Sequence, residues 1–224
     1  MVDVVPATLP TTASPTLSII LSLSATTYHF SDPTPPELSL TISSDSERPL
    51  TVFAWHSILW PELALAQRGF IMTDLTNGAE VKQTSIQLQR KAFSRIRGSQ
   101  DEMYYLTIYP KSPITVSTPF GRGGNARPQP KSVIERGWEL DENGKEMKIR
   151  RSVHAQGVDG LEVGHRYRLD VVPEKLEGLW WRWGTKDEVL VDRGSPDCML
   201  SRKQSEQVAL NFDPIVGIEF NVED

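Results

Sequence analysis

The segment at residues 160–169 constrains the fold of this chain more than any other, because it has the spacing of a tyrosine corner. In Greek-key β-sandwiches, a tyrosine near the start of the sixth strand turns its hydroxyl back to the backbone a few residues upstream and ties the preceding corner. Here Leu161 lies six residues before Tyr167, Gly164 precedes the strand, and polar residues alternate with apolar ones from Arg166 onward. The segment therefore predicts a β-sandwich with Tyr167 at one corner.

The strand signal recurs elsewhere in the chain. Residues 17–23 and 38–42 alternate leucine or isoleucine with small hydroxyl residues, which is typical of half-buried strands. Residues 50–55 are a third apolar run, and we compare Trp55 with the core tryptophan on the third strand of immunoglobulin-like domains. Together with the corner, these strands resemble immunoglobulin-like and fibronectin type III domains, which have a proline where this chain has Val163. We therefore expect an all-β, immunoglobulin-like Greek-key β-sandwich with loop and short-helix insertions.

The chain of 224 residues is longer than the ~100 residues of one such sandwich. We expect residues 1–16 to form a flexible tail and residues 17–224 to form a single decorated sandwich, with an insertion at about 90–131. The charge is segregated: the net charge is -5, but residues 82–136 hold ten Lys or Arg against three acidic residues. This basic middle either attracts an anionic partner or docks on the acidic remainder.

Cysteine content and glycosylation signals favour a reducing compartment. Cys198 is the single cysteine, so no internal disulfide can form, and none of the asparagines lies in an Asn-x-Ser/Thr sequon. The apolar run at 17–23 lacks the basic residues that precede a signal-peptide core, since the first basic residue is Arg48. No apolar run approaches the ~20 residues of a membrane span. We expect a cytoplasmic protein without a membrane partner.

Two Asn-Gly pairs predict tight hairpins, because both residue types accept a positive φ angle. Asn77-Gly78 separates two strands in the first half of the chain, and Asn143-Gly144 separates two in the second half. A two-residue turn at Asn143-Gly144 places Leu140 opposite Met147, and it puts the apolar residues of both strands on one face.

The same register places Arg136 opposite Arg151. Two like charges directly opposite each other are unfavourable unless an acid or a bound anion lies between them. One interpretation is that the pair reaches the end of the sandwich and extends into water, or that a bulge intervenes. The alternative is a small-anion or acidic-partner site formed by both arginines.

Two short helices are indicated between the strands. Pro61 occupies a position that a first helical turn tolerates, and the good helix formers after it run towards Gly69. Thr185 and Glu188 have the spacing of a capping box, which predicts a second short helix through Val191.

The segment 178–184 carries the most distinctive aromatic chemistry of the sequence. In an extended chain, Trp181 and Trp183 share one face, while Trp180 and Arg182 share the other. These rings either pack in the core with their indole N–H groups satisfied, or form a platform for a partner or ligand. The platform hypothesis comprises Trp180, Trp181, Arg182 and Trp183.

Common catalytic signatures are missing from the sequence, including the Gly-x-Ser-x-Gly elbow, His-Glu-x-x-His and zinc-type Cys or His spacing. A glycine-rich stretch begins at Gly121, but Pro128 and Pro130 forbid the helix that a dinucleotide site needs. We expect no metal and no cofactor. One enzyme alternative remains, a pocket lined by Trp55, Trp60 and the tryptophans of 180–183, with His56 as base.

The chain also resembles a group of uncharacterised fungal proteins of similar length. The resemblance lies in four segments, residues 36–44, 48–55, 158–169 and 181–190. It implies no activity, cofactor or catalytic residue. We expect a non-catalytic binding module whose partner is another protein, and we do not expect nucleic acid binding. The alternatives are carbohydrate or small-ligand binding through the tryptophan platform, and the small enzyme described above.

Overall fold

The computed structural model describes residues 14–83, 85–86, 92–121, 131–148, 158–206 and 208–223. In this part of the chain the structure is mostly β, which confirms the all-β prediction at that level. The strands are β1 (Thr16–Leu23), β2 (Thr27–His29), β3 (Glu37–Ser44), β4 (Leu50–Phe53), β5 (Phe70–Asp74), β6 (Ala79–Glu80), β7 (Tyr105–Ile108), β8 (Ile114–Pro119), β9 (Trp138–Leu140), β10 (Glu146–Lys148), β11 (Arg166–Val171), β12 (Trp181–Trp183), β13 (Asn211–Phe212) and β14 (Ile218–Glu223). The α-helices are α1 (Pro61–Ala66), α2 (Lys131–Arg136) and α3 (Lys186–Val189), and 3-10 turns occupy Gln100–Tyr104, Pro173–Lys175 and Arg202–Gln204.

Two sheets enclose the main core. The first has the strand order β13-β1-β3-β8, and the second has the order β2-β14-β11-β5-β6. Inward residues of both sheets belong to one buried cluster, because alternate side chains of each strand point to the same face. Leu40 of the first sheet and Leu169 of the second are both fully buried within it. The alternation read from the sequence therefore corresponds to two sheets packed on a shared core.

The predicted corner hydrogen bond is present. The backbone N–H of Glu162 donates to the hydroxyl of Tyr167 at 2.8 Å. Tyr167 is 1% exposed, and burial raises the pKa of its hydroxyl to about 12. Gly164, just before β11, has a φ of 82°, which other residues adopt only with strain. The Tyr167 hydroxyl thus ties the start of β11 to the corner.

Several local predictions are confirmed. A hairpin joins β5 to β6 at Asn77-Gly78 as predicted, but Asp74 pairs with Ala79, so its loop has four residues, and of the two turn residues only Gly78 has a positive φ, of 74°. Pro61 begins α1, as expected for the first helical position. Glu188 caps α3, since its Oε2 accepts from the Thr185 N–H at 2.7 Å and from the Thr185 hydroxyl at 3.1 Å.

A third sheet, with the order β12-β4-β7, extends one end of the sandwich. In the first sheet, β3 pairs with β8. Because β4 follows β3 in the chain and β7 precedes β8, the same two stretches of chain pair again as β4 and β7 in the third sheet. All four residues of β4 are buried. A series of hydrogen bonds crosses the sheet. The backbone N–H of Lys186 donates to Thr107 Oγ1 at 2.7 Å, and Thr107 Oγ1 lies 3.0 Å from Thr51 Oγ1. The Thr51 hydroxyl in turn donates to the Gly184 carbonyl at 2.8 Å.

The third sheet separates two hydrophobic clusters. Leu50 and Val52 face the main core, whereas Phe53 faces the other side. On that side lies what we name the second cluster, formed by Phe53, Tyr105, Trp180, Val189 and Leu190.

The range of about 90–131 was predicted as an insertion. It includes β7 and β8, which are strands of the third and the first sheet.

Two strand predictions are wrong. Trp55 does not lie on a strand of the sandwich, because the chain leaves β4 at Phe53 and Trp55 is half-buried in the following turn beside the second cluster. The apolar residues at 208–212 and 215–222 predict two C-terminal strands in the sheet of Tyr167, but only β14 pairs with β11 there. The other strand, β13, pairs with β1 in the opposite sheet.

The register predicted for the Asn143-Gly144 hairpin is wrong by one residue. Leu140 pairs with Glu146 rather than with Met147. The cause is Asp141, whose Oδ1 accepts the backbone N–H of Asn143 at 2.9 Å and that of Lys145 at 2.8 Å. This side chain organises a loop of three residues, with Asp141 N–H bonded to the Lys145 carbonyl. A loop of three residues shifts every following pair.

Candidate binding cleft

The tryptophans at 180–183 alternate between the two hydrophobic clusters, as their spacing predicts. Trp181 is 1% exposed and packs in the main core at 5.1 Å from the half-buried Trp183 ring. Trp180 is 6% exposed and belongs to the second cluster. Trp180 Nε1 donates to the Ser201 carbonyl at 3.0 Å, and Trp181 Nε1 donates to the Val208 carbonyl at 3.3 Å. Two of the three rings are therefore core groups with satisfied N–H groups, and do not form an exposed platform.

The outer edge of β12 is covered by residues 205–206. The backbone N–H of Trp181 donates to Ser205 Oγ at 3.2 Å, and the backbone N–H of Glu206 donates to the Trp181 carbonyl at 2.9 Å. The Glu206 carboxylate accepts a hydrogen bond from the backbone N–H of Trp183 at 3.4 Å. These contacts hold the segment that begins at Arg202 against the strand that carries Trp181.

Next to this edge lies a cleft of about 790 Å³, which we name the binding cleft. One wall comes from residues 171–181, which start at the end of β11, and the other from residues 202–206 and 208–215, which precede β14. Apolar side chains contribute somewhat more of its surface than polar ones do, and they include Leu176, Leu179, Trp181, Val208, Leu210 and Phe212. The two walls are therefore held in place by neighbouring strands of the second sheet.

Polar groups stand among these apolar walls. The lining includes Arg202, Glu177, Asn211 and Asp213. The guanidinium of Arg202 has no hydrogen-bond or ion-pair partner among the described residues. The described lining contains no histidine and no cysteine. This composition suits binding of an apolar body with a few orienting polar contacts.

The enzyme alternative is not supported by the surroundings of His56. Trp55 and Trp60 do come together, each against the ring of Tyr104, at centroid distances of 4.5 Å and 5.0 Å. His56, however, is exposed, and its Nδ1 lies 2.9 Å from the Gln67 side-chain oxygen. It lines neither the binding cleft nor a second cavity of about 700 Å³ in the connection between β1 and β3. His56 therefore lies outside both of these cavities.

The proposed anion pair cannot be assembled from the described residues. Arg136 lies at the end of α2 rather than on a strand. Its guanidinium stacks at 4.3 Å over the Trp138 ring, and its Nε donates to the Trp138 carbonyl at 3.1 Å. Arg151 lies outside the described residues. Because the hairpin register is shifted, the geometric argument for this pair does not hold.

Arg95 is a notable residue that sequence reasoning missed. Its side chain is 3% exposed, although it comes from the weakly patterned basic stretch. Its backbone N–H donates to the Cys198 carbonyl at 2.7 Å, and its carbonyl accepts the Val191 N–H at 2.8 Å. These long-range hydrogen bonds hold the backbone of Arg95 against the segment 186–200, which contains both partners. No periodicity in the sequence signals such a position.

Across the described residues, no cluster of three or more histidine, cysteine or acidic side chains is arranged to hold a metal ion. None of the helices in the described ranges has the length and apolar character needed to cross a membrane. No protein-family model matches the sequence, and a search of curated proteins finds no match. The case for function therefore rests on the geometry of the binding cleft.

Proposed function

We propose that this protein is a non-catalytic binding module whose binding cleft takes a small, largely apolar ligand. The observation that carries the proposal is the cleft of about 790 Å³ between residues 171–181 and 202–215, with its apolar walls. Ligand sites in proteins are concave, hold about 300–1,000 Å³ and combine apolar walls with a few polar groups. The cleft has each of these properties.

The scaffold in this proposal is an immunoglobulin-like Greek-key sandwich. In such domains the A, B and E strands share one sheet, and the C, F and G strands share the other. The neighbours β1-β3-β8 and β5-β11-β14 support this assignment, with β11 as strand F. The Tyr167 hydrogen bond at the start of β11 is a second support. The binding cleft then lies in the F–G connection.

The cleft favours an apolar molecule over a glycan. A sugar stacks on a ring face that water can reach, and Trp181, at 1% exposed, offers no such face to any ligand. The accessible apolar contacts come instead from half-buried Leu179, Val208, Leu210 and Phe212. Affinity for an apolar body instead arises from the area removed from water, at roughly 25 cal/mol per Å². Binding of another protein remains a prediction. Its supports are the missing catalytic signatures, the charge-segregated middle of the chain and the aromatic cluster, and the burial of Trp180 and Trp181 weakens the last of these. A cytoplasmic location belongs to the same proposal and rests on the single Cys198 and the missing sequons.

The test is a competition assay with the full chain and a dye whose fluorescence rises in apolar surroundings. The competitors are a long-chain fatty acid, a long-chain alcohol, a sterol and a set of soluble glycans. We expect the apolar molecules, and not the glycans, to displace the dye saturably. In Ala209→Phe, where a ring projects from the cleft lining, affinity should fall about tenfold or more.

The matched control is Ala79→Phe, which adds the same ring to exposed β6, outside the binding cleft. It should bind as the wild type does. The proposal fails if no apolar competitor displaces the dye, or if Ala209→Phe binds as tightly as Ala79→Phe. Turnover of a competitor, abolished by a cleft substitution that leaves the fold intact, would overturn the non-catalytic part.

A further inference from the structure

Arg95 is a buried cation that makes no ion-pair contact within the described part of the chain. Its side chain is 3% exposed, and its buried Nε has no hydrogen-bond partner among the described residues. Its Nη2 donates to the Val189 carbonyl at 2.8 Å, and no carboxylate among the described residues forms an ion pair with it. A buried charge is costly unless it is paired, and buried arginines usually meet a carboxylate or phosphate in a fork geometry.

The guanidinium is nevertheless held in one place. It lies 5.7 Å from the centroid of the Trp180 ring, and the bond to Val189 anchors its other side. Both partners belong to the second cluster. Arg95 thus differs from a surface arginine, whose side chain loses entropy when it orders around a ligand.

A second positive charge reinforces the first. Arg182 shares the strand face of Trp180, is half-buried, and forms no ion pair with the described residues. Burial, and after it the positive charge of Arg182, lowers the pKa of the Arg95 guanidinium. Asp197 counteracts this effect, but it is exposed and forms no ion pair with Arg95 in the described structure. Two guanidinium groups therefore lie on the same side of the third sheet, away from the main core.

We propose that Arg95 and Arg182 form a binding site for a phosphate-type oxyanion, with Arg95 as its buried floor and Arg182 as its outer side. An oxyanion supplies the acceptors that the Arg95 Nε lacks and neutralises the repulsion between the two guanidinium groups. Arginine suits this ligand because its planar group donates two parallel hydrogen bonds to phosphate oxygens. The site lies on the opposite side of the third sheet from the main core and is independent of the binding cleft.

Calorimetric titration of the full chain with inorganic phosphate tests the site, with chloride at matched ionic strength as reference. We expect saturable binding with one phosphate per chain. Arg182→Gln should weaken it about tenfold or more, because a hydrogen bond to a charged group contributes roughly 1.5–3 kcal/mol. Arg193→Gln is the matched control, since it removes the same charge from an exposed turn of the same segment. It should leave the affinity within about twofold, as surface charges act weakly.

Two further variants separate a binding role from a purely structural one. Asp197→Asn removes a competing negative charge and should tighten phosphate binding. Arg95→Gln should abolish binding, and if it does not fold, Arg182→Gln carries the test. Phosphoserine in place of phosphate shows whether a free or an esterified oxyanion binds more tightly. The proposal is overturned if neither phosphate nor phosphoserine binds saturably, or if Arg182→Gln binds as tightly as Arg193→Gln.

Discussion

The hydroxyl of Tyr167 accepts the backbone N–H of Glu162 at 2.8 Å, and this bond joins the corner to the start of β11. Tyr167→Phe keeps the ring and removes the acceptor. We expect a loss of about 1–2 kcal/mol in the free energy of unfolding, because the Glu162 N–H loses its partner. Urea denaturation measures this loss. Tyr109→Phe, at a position 47% exposed, is the control and should change stability by less than about 0.5 kcal/mol.

Asp74 makes stability depend on pH near this corner. Its burial alone would raise its pKa, but hydrogen bonds from His165 Nδ1 at 2.8 Å and Thr76 N–H at 2.9 Å favour the carboxylate. The net result is that the pKa of Asp74 lies below its usual value. A lowered pKa in the folded state stabilises the fold above the unfolded pKa of about 3.9, and this contribution is lost as the pH falls through the folded value.

Asp74→Asn should therefore destabilise the protein by roughly 1–3 kcal/mol at neutral pH. The difference between wild type and variant should shrink as the pH falls below about 4. Urea denaturation at a series of pH values measures it. A difference that stays constant between neutral and acidic pH would show that the charge of Asp74 has no part in the effect.

Trp181 of β12 and Trp180 just before it should be protected from water. Acrylamide quenching should leave the readily quenched fraction of the fluorescence unchanged in Trp180→Phe and Trp181→Phe, because both rings are at most 6% exposed. Each substitution should still cost about 1–3 kcal/mol of stability, since it shrinks a buried side chain. Loss of the quenched fraction in either variant would contradict the burial and restore the exposed platform.

Asp141 determines the register of the β9–β10 hairpin. Asp141→Ala removes the acceptor of the Asn143 and Lys145 N–H groups, so these amides should lose protection from hydrogen exchange by about tenfold. The stability of the sandwich should change little, because β9 and β10 form a sheet of their own. Unchanged exchange at both amides would show that the loop does not depend on this carboxylate.

The parts of the fold that sequence could predict are those with local causes. Leu17, Ile19 and Leu21 occupy every second position and are buried, and this period of two is a property of any strand with one buried face. The turn at Gly78 and the cap at Glu188 depend on residues within four positions of each other. Tyr167 was predictable because the corner depends on a short spacing.

The remaining parts depend on contacts between distant segments. The register at Asn143-Gly144 failed because one side chain, Asp141, outweighed the preference of the turn dipeptide. Trp55 was misplaced because the chain leaves the sandwich at β4 to build an additional sheet, and no periodicity marks that departure. The binding cleft joins residues 171–181 to 202–215, and the burial of Arg95 depends on bridges to residues 191 and 198. Neither arrangement follows from neighbours in the sequence.

The pairing of β12 with β4 joins distant parts of the chain. Trp181 lies opposite Val52, a partner 129 residues earlier in the chain. The first sheet is closed over a still longer loop, since Leu17 pairs with Phe212, 195 residues later. Pairings of this kind slow folding, because the entropy of closing the loop is lost before the contacts reward it. A chain cut before β12 would therefore lack one strand from the third sheet and one from each of the two main sheets.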